Sequence, residues 1–384
     1  MSSPNPSGDD AQKPAPNSPD QQANFRKYGQ IVLVLQGGGA LGAYQVGVYE
    51  ALHQAGIEPD WVIGTSIGAI NAALLAGNAP NDRLARLEEF WRRVEFDEGL
   101  SRLAGASGFG ALLANFATIA RGMPAFFKPN PMAFLSAHTQ LGADNAGYYS
   151  TAPLEATLAD LVDLDLLNSG APRLTIGAAK VSTAEMRYFD SRSTPLTLKH
   201  ILASGALPPA FPAVRIDGEL YWDGGVLSNT PVEAVFDDNP RRNGLIFAVH
   251  IWHPHGPEPS SMVEVMNRQK ELQYSSRAVA HIVRQKQLLR MRHIISELAA
   301  KIPEAVRKSP RVRELAAYGC ATTMHVVRLI APALEGEDHM KDIDFSRTGI
   351  RRRREAGRDH LLRMLETKPW TKEHDPLEGF VLHE

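Results

Sequence analysis

The chain has 384 residues, of which 43% are apolar and 22% charged, with a formal net charge of −2 and one cysteine, Cys320. This length and apolar content predict one large domain with an extension. The near-neutral charge argues against a nucleic-acid partner. A single cysteine excludes an intrachain disulfide, which favours a reducing compartment such as the cytoplasm.

The chain begins with a polar segment, Met1 to Asn24, that is rich in Pro, Ser, Asn, Asp and Gln. Such a composition does not bury enough apolar surface to fold, so a disordered tail is expected over residues 1–27. The segment lacks the basic start and apolar core of a signal peptide.

A short β-branched run, Ile31 to Leu35, predicts a strand buried on both faces. Gly37, Gly38 and Gly39 follow at once, and apolar residues then recur at helical spacing up to Gly56. Glycines bring backbone N–H groups close to a ligand, and a helix N-terminus attracts negative charge. The pattern predicts a loop that holds a phosphate or an oxyanion.

The glycines at 37, 39 and 42 also fit the G-x-G-x-x-G dinucleotide pattern, which requires an acidic residue at the end of the second strand. Here the second predicted strand, Trp61 to Ile63, runs into the turn GTSIG instead. A nucleotide-binding module that uses the Gly37–Gly42 loop is therefore the alternative outside the enzyme class.

Ser66 lies between Gly64 and Gly68, after a predicted strand and before a predicted helix, Ile67 to Ala76. In a nucleophile elbow the flanking glycines permit a strained turn that exposes the serine, and the helix stabilises developing negative charge. The alternative is a small residue at a helix N-cap. The glycine loop upstream favours the nucleophile.

An uncharged stretch, Leu103 to Ala120, approaches the length of a membrane span but is weakly hydrophobic. Together with the Phe and Met residues that follow up to Phe134, it predicts a cap over the active site at about residues 99–135. A helix buried in the core is the open alternative.

Asp223 follows the strand-like Leu220 to Trp222 and precedes Gly224 and Gly225. Asp-Gly turns are common in loops that have no catalytic role. A carboxylate that is partly desolvated can nevertheless act as a base for serine, because burial raises its pKa.

Three histidines offer a second kind of base. His250, His253 and His255 cluster at the end of a predicted strand, Leu245 to Ile251. A Ser-Asp-His order would use one of them, so the residues alone leave this choice open.

Four blocks occur in order between Tyr28 and Trp252: QGGGALGAYQVGV, GTSIGAINA, ASGALPPAFP and YWDGGVLSNTP. Together they resemble the patatin-like phospholipase family. The resemblance implies a dyad of Ser66 and Asp223, with no histidine and no metal or organic cofactor. It also implies an oxyanion hole formed by Gly37, Gly38 and Gly39. The glycines that would support these motifs are Gly42, Gly64, Gly68, Gly224 and Gly225.

The chain departs from this family at one position. Many relatives carry arginine two places after the glycine triplet, where this chain has Leu41. The departure weakens the argument for a phosphate head group. An acyl thioesterase or a short-chain carboxylesterase therefore remains an alternative.

The composition changes after about Pro259. Met262 to Ile302 is a long helical pattern with many basic residues, for which a helix packed on the core is favoured over one on an anionic membrane. The run Arg351 to Arg354 is interpreted as a charged helical face.

The expected fold is a three-layer α/β/α patatin-like domain over residues 28–258, with a mostly parallel central sheet. A helical extension is expected over residues 259–384. The expected function is hydrolysis of a lipid acyl ester of the phospholipase A or lysophospholipase type, with peripheral membrane contact. The sequence does not define head group, acyl length or oligomeric state.

Overall fold

A computed structural model describes residues 25–96 and 122–384. The predicted tail up to Asn24 and the stretch from Leu103 to Ala120 lie outside these ranges. The strands are β1 Gln30–Leu35, β2 Trp61–Thr65, β3 Lys128–Pro129, β4 Tyr149–Ser150, β5 Arg173–Lys180, β6 Glu185–Asp190, β7 Val214–Ile216, β8 Glu219–Asp223, β9 Gly244–His250, β10 Met324–Ile330 and β11 Phe380–His383.

The described helices surround these strands. They are α1 Ala43–Gln54, α2 Ile67–Ala76, α3 Arg83–Val94, α4 Ala152–Leu161, α5 Leu164–Asn168, α6 Leu198–Ser204, α7 Glu233–Phe236, α8 Met262–Lys301, α9 Glu304–Arg307, α10 Pro310–Ala316 and α11 Arg347–Thr367. Short 3₁₀ turns cover Gly39–Gly42, Pro131–Phe134, Gly224–Val226 and Pro369–Thr371.

A nine-stranded sheet forms the centre of the molecule, in the order β11-β10-β9-β1-β2-β5-β8-β7, with β6 also paired to β5. The pairings among β1, β2, β5, β9, β10 and β11 are parallel. Within this sheet, the pairings of β5 with β6, β5 with β8 and β7 with β8 are antiparallel, and β3 and β4 form a separate antiparallel pair. The prediction of a mostly parallel sheet is confirmed.

Both faces of this sheet are covered, as the alternation of β1 shows. Leu33 and Leu35 belong to the apolar cluster that contains residues of α1 and α2. Val32 and Val34 belong to the opposite cluster, with Ile282 of α8. Since successive side chains of a strand point to opposite faces, helices on both sides bury Ile31 to Leu35 and produce three layers.

The C-terminal region is helical as predicted, and it also contributes β10 and β11 to the central sheet. Its last long helix, α11, packs directly on α1. A Cβ atom on Gly357 would lie 2.1 Å from the Tyr44 carbonyl oxygen, so only glycine permits this approach. The region therefore reaches the helix that follows the glycine loop.

The prediction that Arg351 to Arg354 form a charged helical face is wrong for Arg353. Arg353 is 3% exposed. Its guanidinium pairs with Glu337 at 2.9 Å and with Asp344 at 3.1 Å. The reason is its position on the face of α11 that meets the preceding loop. Among the helices described, none combines the length and apolar content needed to cross a membrane.

Candidate active site

Ser66 sits on a sharp turn between β2 and α2. Its φ of 57° and ψ of −127° fall where residues with a Cβ are seldom found, which marks a strained backbone. The flanking glycines permit the turn: a Cβ on Gly64 would lie 2.2 Å from the Gly68 carbonyl oxygen, and one on Gly68 would lie 2.2 Å from that of Leu35. The predicted strand–turn–helix context of Ser66 is present.

A second serine, which the sequence did not single out, holds this turn. The Ser66 N–H donates to Ser204 Oγ at 3.0 Å, and the Ser204 hydroxyl donates to the Gly177 carbonyl oxygen at 2.6 Å. Ser204 is fully buried at the end of α6. It therefore links the strained turn to strand β5.

The glycine loop is fixed by hydrogen bonds to its first carbonyl. The Gly37 carbonyl oxygen accepts from Asn229 Nδ2 at 2.9 Å and from Trp252 Nε1 at 2.8 Å. In a trans peptide the carbonyl and the following N–H point in opposite directions. Holding the Gly37 carbonyl thus sets the direction of the Gly38 N–H.

The three glycines predicted as oxyanion donors are not equivalent. The Gly37 N–H already donates to the Asn229 carbonyl oxygen at 3.1 Å, so Gly37 supports the loop and is not a free donor, which corrects the prediction. The N–H groups of Gly38 and Gly39 donate no hydrogen bond within the described residues. Gly42 lies against Ile67, where a Cβ would meet the Ile67 side chain at 2.6 Å.

Asp223 ends β8 and is 2% exposed. Its Oδ1 accepts the Gly225 N–H at 2.7 Å, and Gly224 packs against β5, where a Cβ would lie 2.6 Å from the Gly177 carbonyl oxygen. Burial raises the pKa of this carboxyl to about 7, while the Ser66 side chain and the Gly225 N–H act in the lowering direction. Asp223 can therefore exchange a proton near neutral pH.

A cavity of about 340 Å³ joins these groups. Ser66, Asp223 and the glycine loop form its polar end, and the predicted pocket segment Ala203–Pro212 contributes to its wall. The remaining wall is mainly apolar and includes seven aromatic residues: Phe126, Phe127, Tyr149, Phe211, Trp252, Tyr274 and Phe345. The arrangement suits an apolar chain whose reactive carbon lies beside Ser66.

The three candidate histidines do not line this cavity in the described structure. His250 is 2% exposed, and burial, with Arg328 nearby, lowers its pKa to about 3. Burial also lowers the pKa of His253, and His255 is exposed. Within the described part of the chain, the cavity lining places a carboxylate with Ser66 and contains no imidazole.

Among the residues that the structure describes, neither a metal site nor a ribose carboxylate accompanies the glycine loop. In residues 25–96 and 122–384, no group of three or more His, Cys, Asp or Glu side chains could hold a metal ion. Asp60 lies at the start of β2, where its Oδ2 accepts the Ile31 N–H at 2.8 Å, and Thr65 ends that strand. The position required for dinucleotide binding carries no acid.

A family model described as patatin-like phospholipase matches residues 33–236, more than half of the chain. A second model, described as patatin phospholipase, matches residues 272–377. The patatin-like phospholipase domain-containing protein ZK370.4 of Caenorhabditis elegans is 28% identical over 227 residues, which cover 57% of this chain and 14% of that protein. Lysophospholipase nte1 of Aspergillus terreus is 62% identical over 49 residues, covering 13% and 3%.

These curated relatives are much longer than the matched region, so the chain spans 14% or less of their length. Among solved structures, VipD from Legionella pneumophila aligns with a TM-score of 0.40 at 16% identity, covering 92% of this chain and 72% of that one. The match over residues 33–236 contains the glycine loop, Ser66 and Asp223. The chain belongs to the patatin-like phospholipase family.

Proposed function

We propose that this protein hydrolyses lipid acyl esters through a Ser66–Asp223 dyad and an acyl-enzyme intermediate. The observation that carries the proposal is the cavity itself. It brings a strained serine and a buried carboxyl with a raised pKa to the polar end of an apolar pocket. The Gly38 and Gly39 N–H groups beside them donate no hydrogen bond to any residue that the structure describes. Perturbed titratable groups beside a nucleophile in a pocket are typical of catalytic sites.

In the first half of the reaction, Ser66 Oγ attacks the acyl carbonyl carbon while the Asp223 carboxylate takes the hydroxyl proton. The carbonyl oxygen becomes an oxyanion, which the N–H groups of Gly38 and Gly39 stabilise. The ester C–O bond then breaks. The leaving alcohol takes the proton from Asp223, and the acyl group remains on Ser66.

In the second half, water enters and Asp223 takes one of its protons. The resulting hydroxide attacks the acyl carbonyl carbon, and the oxyanion forms again at Gly38 and Gly39. When the bond to Ser66 Oγ breaks, the proton returns from Asp223 to the serine. A free fatty acid leaves, and the enzyme is restored.

The acyl chain would lie along the aromatic wall. Phe127 and Tyr149 pack edge to face with ring centroids 4.9 Å apart, and Phe211 lies 5.8 Å from Phe127. The described lining contains no lysine or arginine. This supports a substrate bound mainly through its acyl chain, of the phospholipase A or lysophospholipase type, with the head group directed out of the pocket.

Peripheral contact with a membrane is the second part of the proposal. Next to the cavity, the turn between β3 and β4 exposes Met132, Phe134 and Leu135 by 52%, 57% and 72%. The Phe134 ring lies 6.1 Å from the ring of Tyr149, which lines the cavity. An apolar patch continuous with the pocket suits entry of a chain from a lipid surface.

A substrate panel tests the proposal. The purified protein is assayed with p-nitrophenyl esters of increasing chain length, then with lysophospholipid, phospholipid and acyl-CoA, and Ser66→Ala is the control. We expect turnover to rise with chain length, to extend to lysophospholipid or phospholipid and to vanish in the variant. Preference for acyl-CoA would favour a thioesterase, preference for the shortest esters a carboxylesterase, and no hydrolysis at all would contradict the proposal.

A further inference from the structure

We propose that the C-terminal region completes the active site, and that the Lys270–Asp342 ion pair positions the Gly38 and Gly39 amides. The inference rests on the proposed function, since it concerns the same oxyanion hole. Neither partner lies in the region that matches the patatin-like phospholipase model, residues 33–236. Asp342 is a positioning residue in this proposal, and Lys270 acts through it.

The contact with the glycine loop is made by backbone. Gly39 has a φ of +54°, and a Cβ placed there would lie 2.2 Å from the Asp342 carbonyl oxygen. That carbonyl accepts the N–H of Ala40 at 2.8 Å. The C-terminal region thus touches the loop at the residue that carries one of the two free donors.

Two crossed ion pairs hold this contact in place. Lys270 Nζ lies 2.7 Å from Asp342 Oδ1 and also donates to the His339 carbonyl oxygen at 2.8 Å. The next residue of α8, Glu271, accepts from Lys341 Nζ at 2.7 Å, and both of these side chains are buried. Two adjacent residues of α8 therefore pair with two adjacent residues of the segment between β10 and α11. In the first pair the helix supplies the cation, and in the second it supplies the anion.

The second pair reaches the glycine loop by another route. Lys341 Nζ lies 5.7 Å from the centre of the Trp252 ring, and Trp252 Nε1 donates to the Gly37 carbonyl oxygen. Leu41, where many relatives have arginine, lines a small enclosed space together with Lys341 and Arg353. The cations beside the glycine loop come from the C-terminal region.

The same region forms part of the substrate wall. Tyr274 of α8 lines the cavity, as do Asp342, Ile343 and Phe345. The Phe345 ring lies 5.9 Å from that of Phe126, which also lines the cavity. A shift of this segment would alter both the acyl wall and the donors, because one stretch of backbone carries both contacts.

The test compares Lys270→Met and Asp342→Asn with the parent protein, using a p-nitrophenyl ester and a trifluoromethyl ketone that forms an adduct with the serine. Misplaced oxyanion donors lower kcat and weaken binding of the tetrahedral adduct, whereas ground-state binding changes little. We expect kcat to fall roughly tenfold or more and ketone affinity to fall by a similar factor, with KM nearly unchanged.

Lys286→Met is the matched control, because Lys286 lies on the same helix and pairs with Glu378 at 3.4 Å, away from the cavity. The swapped pair Lys270→Asp/Asp342→Lys should recover part of the lost kcat. If Lys270→Met fails to fold, Asp342→Asn and the swapped pair provide the same readout.

Two results would overturn the inference. One is unchanged kcat and ketone affinity in folded Lys270→Met and Asp342→Asn. The other is an equal loss in Lys286→Met. Failure of the proposed function is distinguishable, because it would appear as a parent protein with no hydrolysis that depends on Ser66.

Discussion

Burial of the carboxyl at Asp223 sets the pH range in which the dyad operates. Its pKa is raised to about 7 by desolvation, and only the charged form accepts a proton from Ser66. We therefore expect kcat/KM to fall as pH drops below about 7. A plot of log kcat/KM against pH should approach a slope of one, as for a single proton. Asp223→Asn should lower turnover by a factor of about 10²–10⁴ and abolish this acid limb.

The control for this profile is His253→Ala. Burial lowers the pKa of the His253 ring, so an acid limb near 7 does not belong to it. The limb should survive in this variant. A histidine variant as inactive as Ser66→Ala, beside an active Asp223→Asn, would replace the dyad with a histidine-based triad.

Ser204 is expected to matter for catalysis because it holds the strained backbone of Ser66. Ser204→Ala removes the acceptor of the Ser66 N–H and the donor to the buried Gly177 carbonyl oxygen, and a buried polar group left unpaired costs about 1–3 kcal/mol. We expect a fall in unfolding free energy of this size and a clear fall in kcat, with KM nearly constant. Denaturant unfolding and steady-state kinetics measure the two effects.

Ser191→Ala is the matched variant. Ser191 Oγ accepts the N–H of Leu174 at 2.9 Å, and Leu174 belongs to β5, the strand to which Ser204 is also bonded. It should lose a similar amount of stability and keep its kcat. If both variants lose kcat equally, the effect of Ser204 is on general stability and not on the position of the nucleophile.

At the level of residues, candidate site positions could be predicted from the sequence where they stand in contiguous motifs, and their catalytic roles stay predictions. Ser66 and Asp223 lie within such blocks, and the cavity brings them together. Gly37 was misassigned because a glycine pattern does not show which N–H already has an acceptor. Ser204 and Asp342 were missed because their contacts with residues 66 and 40 join positions that are far apart in the chain.

At the level of elements, the turn between β3 and β4 is the one that we expect to meet lipid. Phe134→Asp replaces an aromatic ring that is 57% exposed beside the cavity with a charged carboxylate. We expect weaker binding to phosphatidylcholine–phosphatidylglycerol vesicles and slower hydrolysis of vesicle lipid. Hydrolysis of a soluble short-chain ester should be unchanged, because the substitution leaves the dyad intact.

Leu315→Asp is the control for this experiment, since Leu315 is 49% exposed on α10, a different element. Vesicle sedimentation and activity are measured for both variants. Equal losses in the two, or no loss in Phe134→Asp, would remove the turn from the proposed membrane contact.

The elements around the site could be predicted because local patterns define them. The helix α2 begins and ends where its sequence predicted, at Ile67 and Ala76, and β1 is longer by one residue. By contrast, β10 and β11 were missed. They are short buried runs within a region dominated by long helical patterns, and their strand character depends on pairing with β9 and with each other.

At the level of the whole molecule, buried neutral histidines make folding sensitive to acid. Burial lowers the pKa of His250 to about 3 and of His325 and His383 to about 4, against an ordinary value of 6.5. As pH falls from about 6.5 to about 4, these histidines bind protons in the unfolded chain but stay neutral in the folded chain. The free energy of unfolding therefore decreases across this window.

Asp223 acts in the opposite direction, because its raised pKa lets the folded state bind a proton more readily below about 7. This one carboxyl opposes the three imidazoles and also those of His200, His253 and His360, whose pKa burial lowers too, so a net loss of stability is expected. Urea unfolding at several pH values between 8 and 4.5 measures it. In the double variant His325→Gln/His383→Gln the free energy of unfolding should change less with pH. An equal change with pH in both proteins would contradict the assignment of this acid sensitivity to the buried histidines.

The whole-molecule architecture was predicted in outline. The three layers and the mostly parallel sheet were expected from the resemblance of four sequence blocks to the patatin-like phospholipase family. The closeness of the C-terminal region to the site does not, because it depends on α11 crossing α1 and on buried ion pairs such as that of Glu271 with Lys341. No local pattern in the sequence specifies which distant charges meet.

Covalent labelling tests the central claim most directly. The purified protein is treated with a fluorophosphonate that carries an alkyl chain, and the labelled peptide is identified by mass spectrometry. We predict a single adduct on Ser66 and loss of ester hydrolysis in proportion to labelling. No labelling is expected in Ser66→Ala, and labelling should be strongly slowed in Asp223→Asn. An adduct on another serine, or unchanged hydrolysis after full labelling of Ser66, would contradict the account.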